Sequence, residues 1–284
     1  TTLAKKISAG EIGALELLDH YVERVDKYNT EINAVVCDQI DAARVRAAAA
    51  DTARAKGKSW GPLHGVPMTV KESFGIAGLP TTLGHPTLKD NLATEDAVAC
   101  QRLQNAGAII FGKTNVPIDL ADFQSYNEVY GTTNNPHDLT RGPGGSSGGS
   151  AAAMAAGLSA LEMGSDIGGS IRNPAHYCGV FGHKPTWGVL PMRGHGMEGV
   201  KTPGDISVIG PLARSAEDLA MVMDIVGGVD ELHQPGWSLQ LPKPSQTSLK
   251  NFRVAVWADD RLAPVDQSMI DRVLKVAKLA ESAG

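Results

Sequence analysis

The chain has 284 residues, of which 42% are hydrophobic and 20% are charged, so its composition is that of a globular protein able to bury a full core. A net charge of −5 argues against the basic surface that nucleic-acid binding requires, and no apolar run is long enough to cross a membrane. Cys37, Cys100 and Cys178 are few and far apart. They predict neither a disulfide framework nor a zinc site, and they favour a reducing cytoplasm.

Helices and strands alternate in the pattern of the first half of the chain. Residues 1–28 and 38–56 follow a helical period, and EDAVACQRLQNA at 95–106 predicts an amphipathic helix that Gly107 ends. Short apolar runs after glycine predict buried strands at 67–70 and 108–111.

The second half continues this alternation after a loop predicted over 124–141. The expected elements are a helix at 151–156, a strand at 160–163, a helix capped by Asn173, a helix at 215–227, a loop at 228–251, a strand at 252–257 and a helix at 264–284. Strands that alternate with helices predict an α/β fold. Because a further strand should follow the last helix, we expect the chain to be cut short.

The stretch GAIIFGKT, from Gly107 to Thr114, fits the phosphate-loop pattern. In a phosphate loop, however, the strand precedes the first glycine, whereas Ala-Ile-Ile-Phe here reads as the strand itself. Pro117 also follows where the helix should run. Nucleotide binding is therefore a minor alternative.

Two glycine-rich turns contain serine. GPGGSSGGS at 142–150 fits the G-x-S-x-G pattern of a nucleophile elbow, but a loop precedes it instead of a strand. A linker is also disfavoured, because the stretch runs directly into an alanine-rich helix. GSDIGGS at 164–170 has the better context, between a predicted strand and a predicted helix. Its backbone N–H groups could converge on an oxyanion.

Further stretches accompany these turns: GPLHGVPMTVKESFGIAGLPTT around Lys71, GKTNVP at 112–117, YGTTNNPHDLTRGPGGSS, FGHKPTWGVLP and GPLARSAEDLA. In this order and spacing, from about residue 10 to about residue 227, the sequence resembles the amidase signature family of serine hydrolases. The resemblance is specific because several separate stretches coincide.

The resemblance implies a Ser-Ser-Lys catalytic unit. Ser170 is the implied nucleophile, Ser146, which in the family follows a cis peptide bond, is the proton relay, and Lys71 is the base. A lysine can act as a base only when neutral, and burial beside an apolar strand lowers its pKa from about 10.4. The oxyanion hole maps onto the backbone of Ile167, Gly168, Gly169 and Ser170.

Ser147, Asp166 and Arg172 also match family positions, and we expect them to form a supporting network around the second turn. Ile167 and Asn173 replace residues that are more often Thr and Ile in the family. Ile167 still offers its backbone N–H, so this departure leaves the oxyanion hole intact.

The implied fold is α/β: the amidase-signature fold, with a central mixed, largely parallel sheet flanked by helices. We expect residues 1–284 to form a single amidase domain with its signature core at about 60–215. Because family members extend well beyond 284 residues, we expect this domain to lack its C-terminal part.

The expected function is hydrolysis of carboxylic amide C–N bonds through an acyl-enzyme on Ser170, with esters and carbamates as further substrates. The alternatives are the amidase subunit of a glutamine-dependent transamidase complex and a nucleotide-binding module at 107–114. We expect a small-molecule amide or ester as partner, with no metal, other cofactor, nucleic acid or membrane. A homodimer is one option, and the acyl and amine specificity stays open.

Overall fold

The computed structural model describes residues 2–197, 199, 200, 202, 204–242, 245, 246 and 248–284. The chain divides into two units, Thr1–Leu239 and Gln240–Gly284. The helices of the first unit are α1 (Thr2–Ala9), α2 (Ala14–Ile32), α3 (Ile40–Ala55), α4 (Val98–Asn105), α5 (Gly148–Ala155), α6 (Arg172–Cys178) and α7 (Ala216–Val226). Its strands are β1 (Val35–Asp38), β2 (Pro67–Lys71), β3 (Ile109–Thr114), β4 (Tyr126–Asn127), β5 (Gly131–Thr132), β6 (Glu162–Asp166), β7 (Phe181–Gly182) and β8 (Val208–Ala213). The second unit contains α8 (Gln267–Ser282).

Two three-stranded sheets hold the buried strands of the first unit. One has the order β1-β3-β2, with β2 parallel and β1 antiparallel to β3. The other has the order β6-β8-β7, and both of its strand pairs are antiparallel. β2 lies next to β6, and the backbone N–H of Thr69 on β2 donates to the carbonyl of Leu161, just before β6, at 3.3 Å.

The α/β class and the mixed sheet are confirmed, but the sheets are less parallel than predicted. Among the described strand pairs only β2 and β3 run parallel. The sequence patterns at β1, β7 and β8 do not predict strands, and these three strands take part in every antiparallel pair of the two three-stranded sheets. A strand's direction depends on the neighbour that it finds in the fold, and a local apolar run does not contain that information.

The helical segment predicted over 1–28 is two helices. Gly10 follows α1 with φ of 74°, a conformation that costs glycine little. α2 starts afresh at Ala14, where the N–H groups of Ala14 and Leu15 donate to the carboxylate of Asp51 on α3 at 2.8 and 3.0 Å. The partner of this helix start is therefore distant in sequence, and the helical period alone could not show the break.

Most other predicted elements are confirmed with shifted ends. α3, β2, β3, α5, α7 and α8 overlap their predictions, and Ser215 caps α7 by accepting from the N–H of Asp218 at 3.2 Å. α4 starts at Val98, three residues later than predicted, because Asp96 accepts from the N–H of Ala77 at 2.8 Å before the helix begins. The strand predicted at 160–163 is β6, placed two residues later by its pairing with β8. The loop predicted at 124–141 contains the short β4–β5 hairpin.

Two predictions of local structure are wrong. α6 begins at Arg172 after Ile171, so Asn173 lies inside the helix and is not its cap. Its side-chain oxygen instead accepts from the N–H of Gly145 at 3.2 Å. The segment 252–257, where a strand was predicted, has no regular secondary structure and no described ladder partner, and Trp257 is 79% exposed. Strand hydrogen bonds need a neighbouring strand, which the apolar pattern of one segment cannot supply.

The core of the first unit surrounds β2 and β3, every residue of which is buried. α3 and α4 pack on β3, α2 packs on β2, and α5 contacts both strands. α5 is buried from Gly148 to Met154, on all its sides, and its mostly small side chains permit the close approach of helix and sheet. Within the described residues, no helix combines the length and apolarity needed to cross a bilayer.

Candidate active site

The last residue of β2 places an amine among hydroxyl groups. Lys71 is fully buried. Its Nζ donates to Ser146 Oγ at 2.7 Å and to Ser165 Oγ at 3.0 Å. The pairing of β2 with β3 fixes this end of the strand, since Lys71 lies opposite Thr114 in the register. The family resemblance implies the contact with Ser146 but not the one with Ser165.

Burial makes Lys71 a base near neutral pH. It lowers the pKa of the amine from its ordinary value of 10.5 to about 7, and the charge of Asp166 opposes this shift. Desolvation disfavours the ammonium form, whereas the two hydroxyl partners can accept from either form. A large fraction of Lys71 is therefore neutral at pH 7 and can accept a proton from Ser146.

The first glycine–serine turn fits against neighbouring backbone because of its glycines. A Cβ on Gly145 would lie 2.3 Å from the carbonyl oxygen of Gln124, so a larger residue cannot replace this glycine without a backbone shift. The Gly145–Ser146 peptide bond is cis, as the resemblance implies. α5 begins at Gly148, so this segment is a tight internal junction rather than a linker.

The second turn joins β6 to α6 and contains Ser170, which is buried with 6% exposure. The two turns touch, because the N–H of Ser147 donates to the carbonyl of Ser170 at 3.1 Å. Ser147 Oγ also donates to the carbonyl of Ser165 at 3.2 Å. Lys71, Ser146 and Ser170 are thus brought to one place, although the hydrogen bonds of the described residues include none between the two serine hydroxyls.

Asp166 organises the second turn from its buried position at the end of β6. Its carboxylate accepts two hydrogen bonds from the Arg172 guanidinium, at 2.9 and 3.1 Å, and further ones from the N–H groups of Gly169, Ile171 and Arg172. Burial alone would raise the pKa of Asp166, but the hydrogen bonds from Arg172 and Ile171 lower it below its ordinary value. The aspartate is therefore a fixed anion that holds the loop around Ser170.

One of the four predicted oxyanion donors is already engaged. The N–H of Gly169 donates to Asp166 Oδ1 at 2.9 Å and is directed into the turn. This leaves the N–H groups of Ile167, Gly168 and Ser170 as the candidate donors. The sequence does not show which backbone amides Asp166 binds, so it could not separate Gly169 from the other three predicted donors.

Ser165 is the site residue that the sequence analysis missed. It lies on β6 directly before Asp166, and it reaches Lys71 only because β6 lies beside β2. A serine inside a strand has no distinctive pattern. Only a prediction of which strands are neighbours would have revealed this contact.

The segment 107–114 does not form a phosphate loop. Its residues from Ile109 onwards are β3, as the strand interpretation predicted. Lys113 is buried, and its Nζ donates to the carbonyl of Pro80 and, at 2.9 Å, to Thr81 Oγ1. The Lys113 amine is thus bound by groups inside the protein and is not available to a phosphate, so the nucleotide-binding alternative loses its support.

Apolar side chains stand beside the second turn. Phe123 and Ile167 are 51% and 54% exposed. A Cβ on Gly169 would lie 3.3 Å from the ring of Phe123, which places this ring against the loop that ends in Ser170. Across the described ranges, no three His, Cys, Asp or Glu side chains cluster in a way that could hold a metal ion.

Comparison with protein-family models matches residues 16–284 to the family described as Amidase. An acylamidase of Rhodococcus erythropolis is 37% identical over 292 residues, covering 100% of this chain and 59% of that protein. One of the subunits of the glutamyl-tRNA(Gln) amidotransferase of Gloeobacter violaceus is 34% identical over 285 residues, covering 99% of this chain and 58% of that protein.

Solved structures show the same similarity. A structure described as fatty acid amide hydrolase superposes with a TM-score of 0.91 at 31% identity, covering 100% of this chain and 51% of that one. The chain therefore spans little more than half the length of the relatives that it matches.

Proposed function

This chain belongs to the Amidase family, and from that premise we propose that it hydrolyses the C–N bond of carboxylic amides through an acyl-enzyme on Ser170. The observation that carries the proposal is the 2.7 Å hydrogen bond between Lys71 Nζ and Ser146 Oγ. Because burial lowers the pKa of this lysine to about 7, its amine can take the serine proton at neutral pH.

In the acylation step Ser170 Oγ attacks the carbonyl carbon of the amide. Its proton passes to Ser146, and the proton of Ser146 passes to neutral Lys71. The N–H groups of Ile167, Gly168 and Ser170 are the donors proposed for the resulting oxyanion, and one such donor is typically worth about 10²–10³ in rate. When the C–N bond breaks, the same two residues return the proton to the leaving amine.

Deacylation uses the same residues with water in place of Ser170. Water gives its proton through Ser146 to Lys71 and attacks the ester carbonyl of the acyl-enzyme. The bond to Ser170 Oγ then breaks, and the proton returns through Ser146 to that oxygen. Lysine ends neutral, so the cycle closes with one amide and one water converted to a carboxylic acid and an amine.

Esters and carbamates contain the same electrophilic carbon and are proposed as further substrates. The exposed side chains of Phe123 and Ile167 beside the turn favour an uncharged group next to the scissile bond. All three cysteines are free thiols, which supports our proposal of a reducing, cytoplasmic location.

A second candidate is that the chain is the amidase component of a glutamine-dependent transamidase, which the similarity to amidotransferase subunits favours. Such a component would release ammonia from glutamine and bind its partners stably. We propose glutamine hydrolysis and affinity purification from the native host as the test. Glutaminase activity together with stoichiometric partners would favour the transamidase, whereas hydrolysis of other amides by the isolated protein would favour the first candidate.

The proposed hydrolase is tested by a screen of aliphatic, aromatic and amino-acid amides, with matched esters and carbamates. We expect turnover of at least one amide class, abolished by Ser170→Ala. Ser59→Ala, at an exposed position, serves as the control and should keep wild-type activity. Full turnover by the Ser170→Ala variant would overturn the assignment of the nucleophile.

A further inference from the structure

A buried carboxyl group on β6 has no part in the mechanism above. Glu162 is fully buried at the start of the strand, four residues before Asp166. The hydroxyl of Thr69 on β2 donates to Glu162 Oε1. Among the described residues, Oε2 has no partner with hydrogen-bond geometry. Burying a carboxyl without full compensation costs free energy, so its presence behind the site calls for a reason.

The groups around Glu162 come from the elements that hold the proposed catalytic residues. Thr69 precedes Lys71 by two positions on β2, and Thr114 of β3 lies opposite Lys71 in the register. Ser150 lies in the first turn of α5, the helix that follows the first glycine–serine turn. The hydroxyls of Thr114 and Ser150 form a hydrogen bond with each other at 2.8 Å. Both hydroxyls also lower the pKa of the Glu162 carboxyl, which places them beside it.

Burial favours the protonated form of the Glu162 carboxyl group. Burial raises the pKa of Glu162 to about 8, against the hydroxyls of Thr69, Ser150 and Thr114, which favour the charged form. A protonated carboxyl both donates and accepts. Oε1 can therefore accept from Thr69, and the neutral acid lowers the cost of burying Oε2 without a hydrogen-bond partner.

We propose that Glu162 is a positioning residue that joins β2, β3, β6 and α5 behind Lys71 and so fixes Lys71 Nζ on Ser146 Oγ. The proposal rests on the proposed function, because it concerns the geometry of that same site. The described hydrogen bonds of Glu162 do not include Lys71, Ser146 or Ser170, so it acts through Thr69 and the strand that carries Lys71. An apolar side chain would remove the acceptor of the Thr69 hydroxyl and the carboxyl beside the Thr114–Ser150 pair, so the polar contacts that join the four elements would be lost.

The test compares Glu162→Gln with Glu162→Ala in the intact protein. An amide has the shape of the neutral acid and keeps one acceptor and one donor side, so we expect Glu162→Gln to retain kcat within about threefold. Glu162→Ala should lower kcat by about 10-fold or more with KM nearly unchanged, because misplacing a base by about 1 Å costs up to 10²-fold. If Glu162→Ala fails to fold, Thr69→Val, which removes the donor at similar volume, is expected to show the same loss in kcat.

Ser159→Ala is the matched control. The Ser159 hydroxyl accepts from the N–H of Thr69 at 2.9 Å and donates to the carbonyl of Leu161 at 2.8 Å, so this variant loses two buried hydrogen bonds beside β2 and β6 while it keeps the Glu162 side chain and its bond from Thr69. It should keep wild-type kcat. The proposal is overturned if Glu162→Ala or its substitute Thr69→Val has wild-type kcat, if Glu162→Gln falls as far as Glu162→Ala, or if Ser159→Ala loses as much kcat as they do.

A chemical readout separates this proposal from the proposed function. If the wild-type protein turned over none of the amides, the proposed function would fail while a sulfonyl fluoride could still measure the reactivity of Ser170. The rate of its sulfonylation should then fall about 10-fold in Glu162→Ala and stay near wild type in Glu162→Gln. Equal rates in all three proteins would overturn the positioning role on their own.

Discussion

Lys71 sets the expected pH dependence of the reaction. Because burial lowers its pKa to about 7, the neutral base is lost as pH falls through that value. We therefore expect kcat/KM for an uncharged amide to drop about tenfold per pH unit below pH 6 and to approach its maximum by about pH 8. A profile measured with unfolding monitored at each pH checks this expectation. Constant kcat/KM between pH 6 and pH 8 would contradict it.

The same pKa shift predicts that replacing Lys71 separates activity from stability. The pKa of Lys71 is lower in the folded chain than its ordinary 10.5, so the unfolded chain binds more protons between about pH 7 and 10.5. Stability therefore falls as pH decreases across this window. Lys71→Met removes this cost, and we expect it to be at least as stable as wild type at pH 7 while kcat falls roughly 10³-fold. Denaturant unfolding beside kinetics tests both parts, and an inactive variant that is also destabilised would contradict the account.

Arg172 is expected to matter through Asp166. Arg172→Ala removes two hydrogen bonds from a buried carboxylate but leaves the backbone donors of the turn in place. We expect a loss of about 1–2 kcal/mol in unfolding free energy and about tenfold in kcat. Arg141→Ala is the control, because its ion pair with Asp138 at 3.0 Å is exposed and should contribute little. Equal effects of the two substitutions would argue against a special role of the Arg172–Asp166 pair.

At the scale of single elements, the sequence predicted helices better than strands. α3 and α7 follow local signals, such as the Ser215 cap, that work wherever the segment lies. β1, β7 and β8 have no comparable signal, since a strand is defined by the neighbour that it pairs with. The segment 252–257 shows the reverse case, an apolar pattern without a described strand partner.

The junction between α4 and β3 provides a test at this scale. Gly107 has φ of 100°, and a Cβ there would lie 2.6 Å from the backbone of His64. Gly57 also has positive φ, 68°, but open space around it. We expect Gly57→Ala to cost about 1 kcal/mol and Gly107→Ala at least about 2 kcal/mol more, measured by denaturant unfolding. Similar losses for both variants would mean that backbone conformation alone, and not the close approach to His64, requires glycine at the junction.

At the scale of the whole molecule, the family resemblance predicted which distant residues the fold brings into contact. Lys71 and Ser146 are 75 residues apart in sequence, and the family motifs predicted their contact. Ser165 and Glu162 could not be predicted, because their roles depend on β6 lying beside β2. The hydrogen bond from Gly169 to Asp166 was not predicted either, because the sequence does not show which amides of the turn the carboxylate binds. The motifs thus point to the proposed reacting groups, and contacts between elements define the residues that surround them.

The central claim is that an acyl group resides on Ser170 during turnover. The most direct measurement uses an activated ester whose acyl group comes from an amide that the protein turns over. The protein reacts with this ester, the reaction is stopped rapidly with acid, and the acylated peptide is located by mass spectrometry. The account predicts the mass of that acyl group on the peptide containing Ser170, slower acylation in Lys71→Met and none in Ser170→Ala. Acylation at another residue, or undiminished acylation in Ser170→Ala, would contradict it.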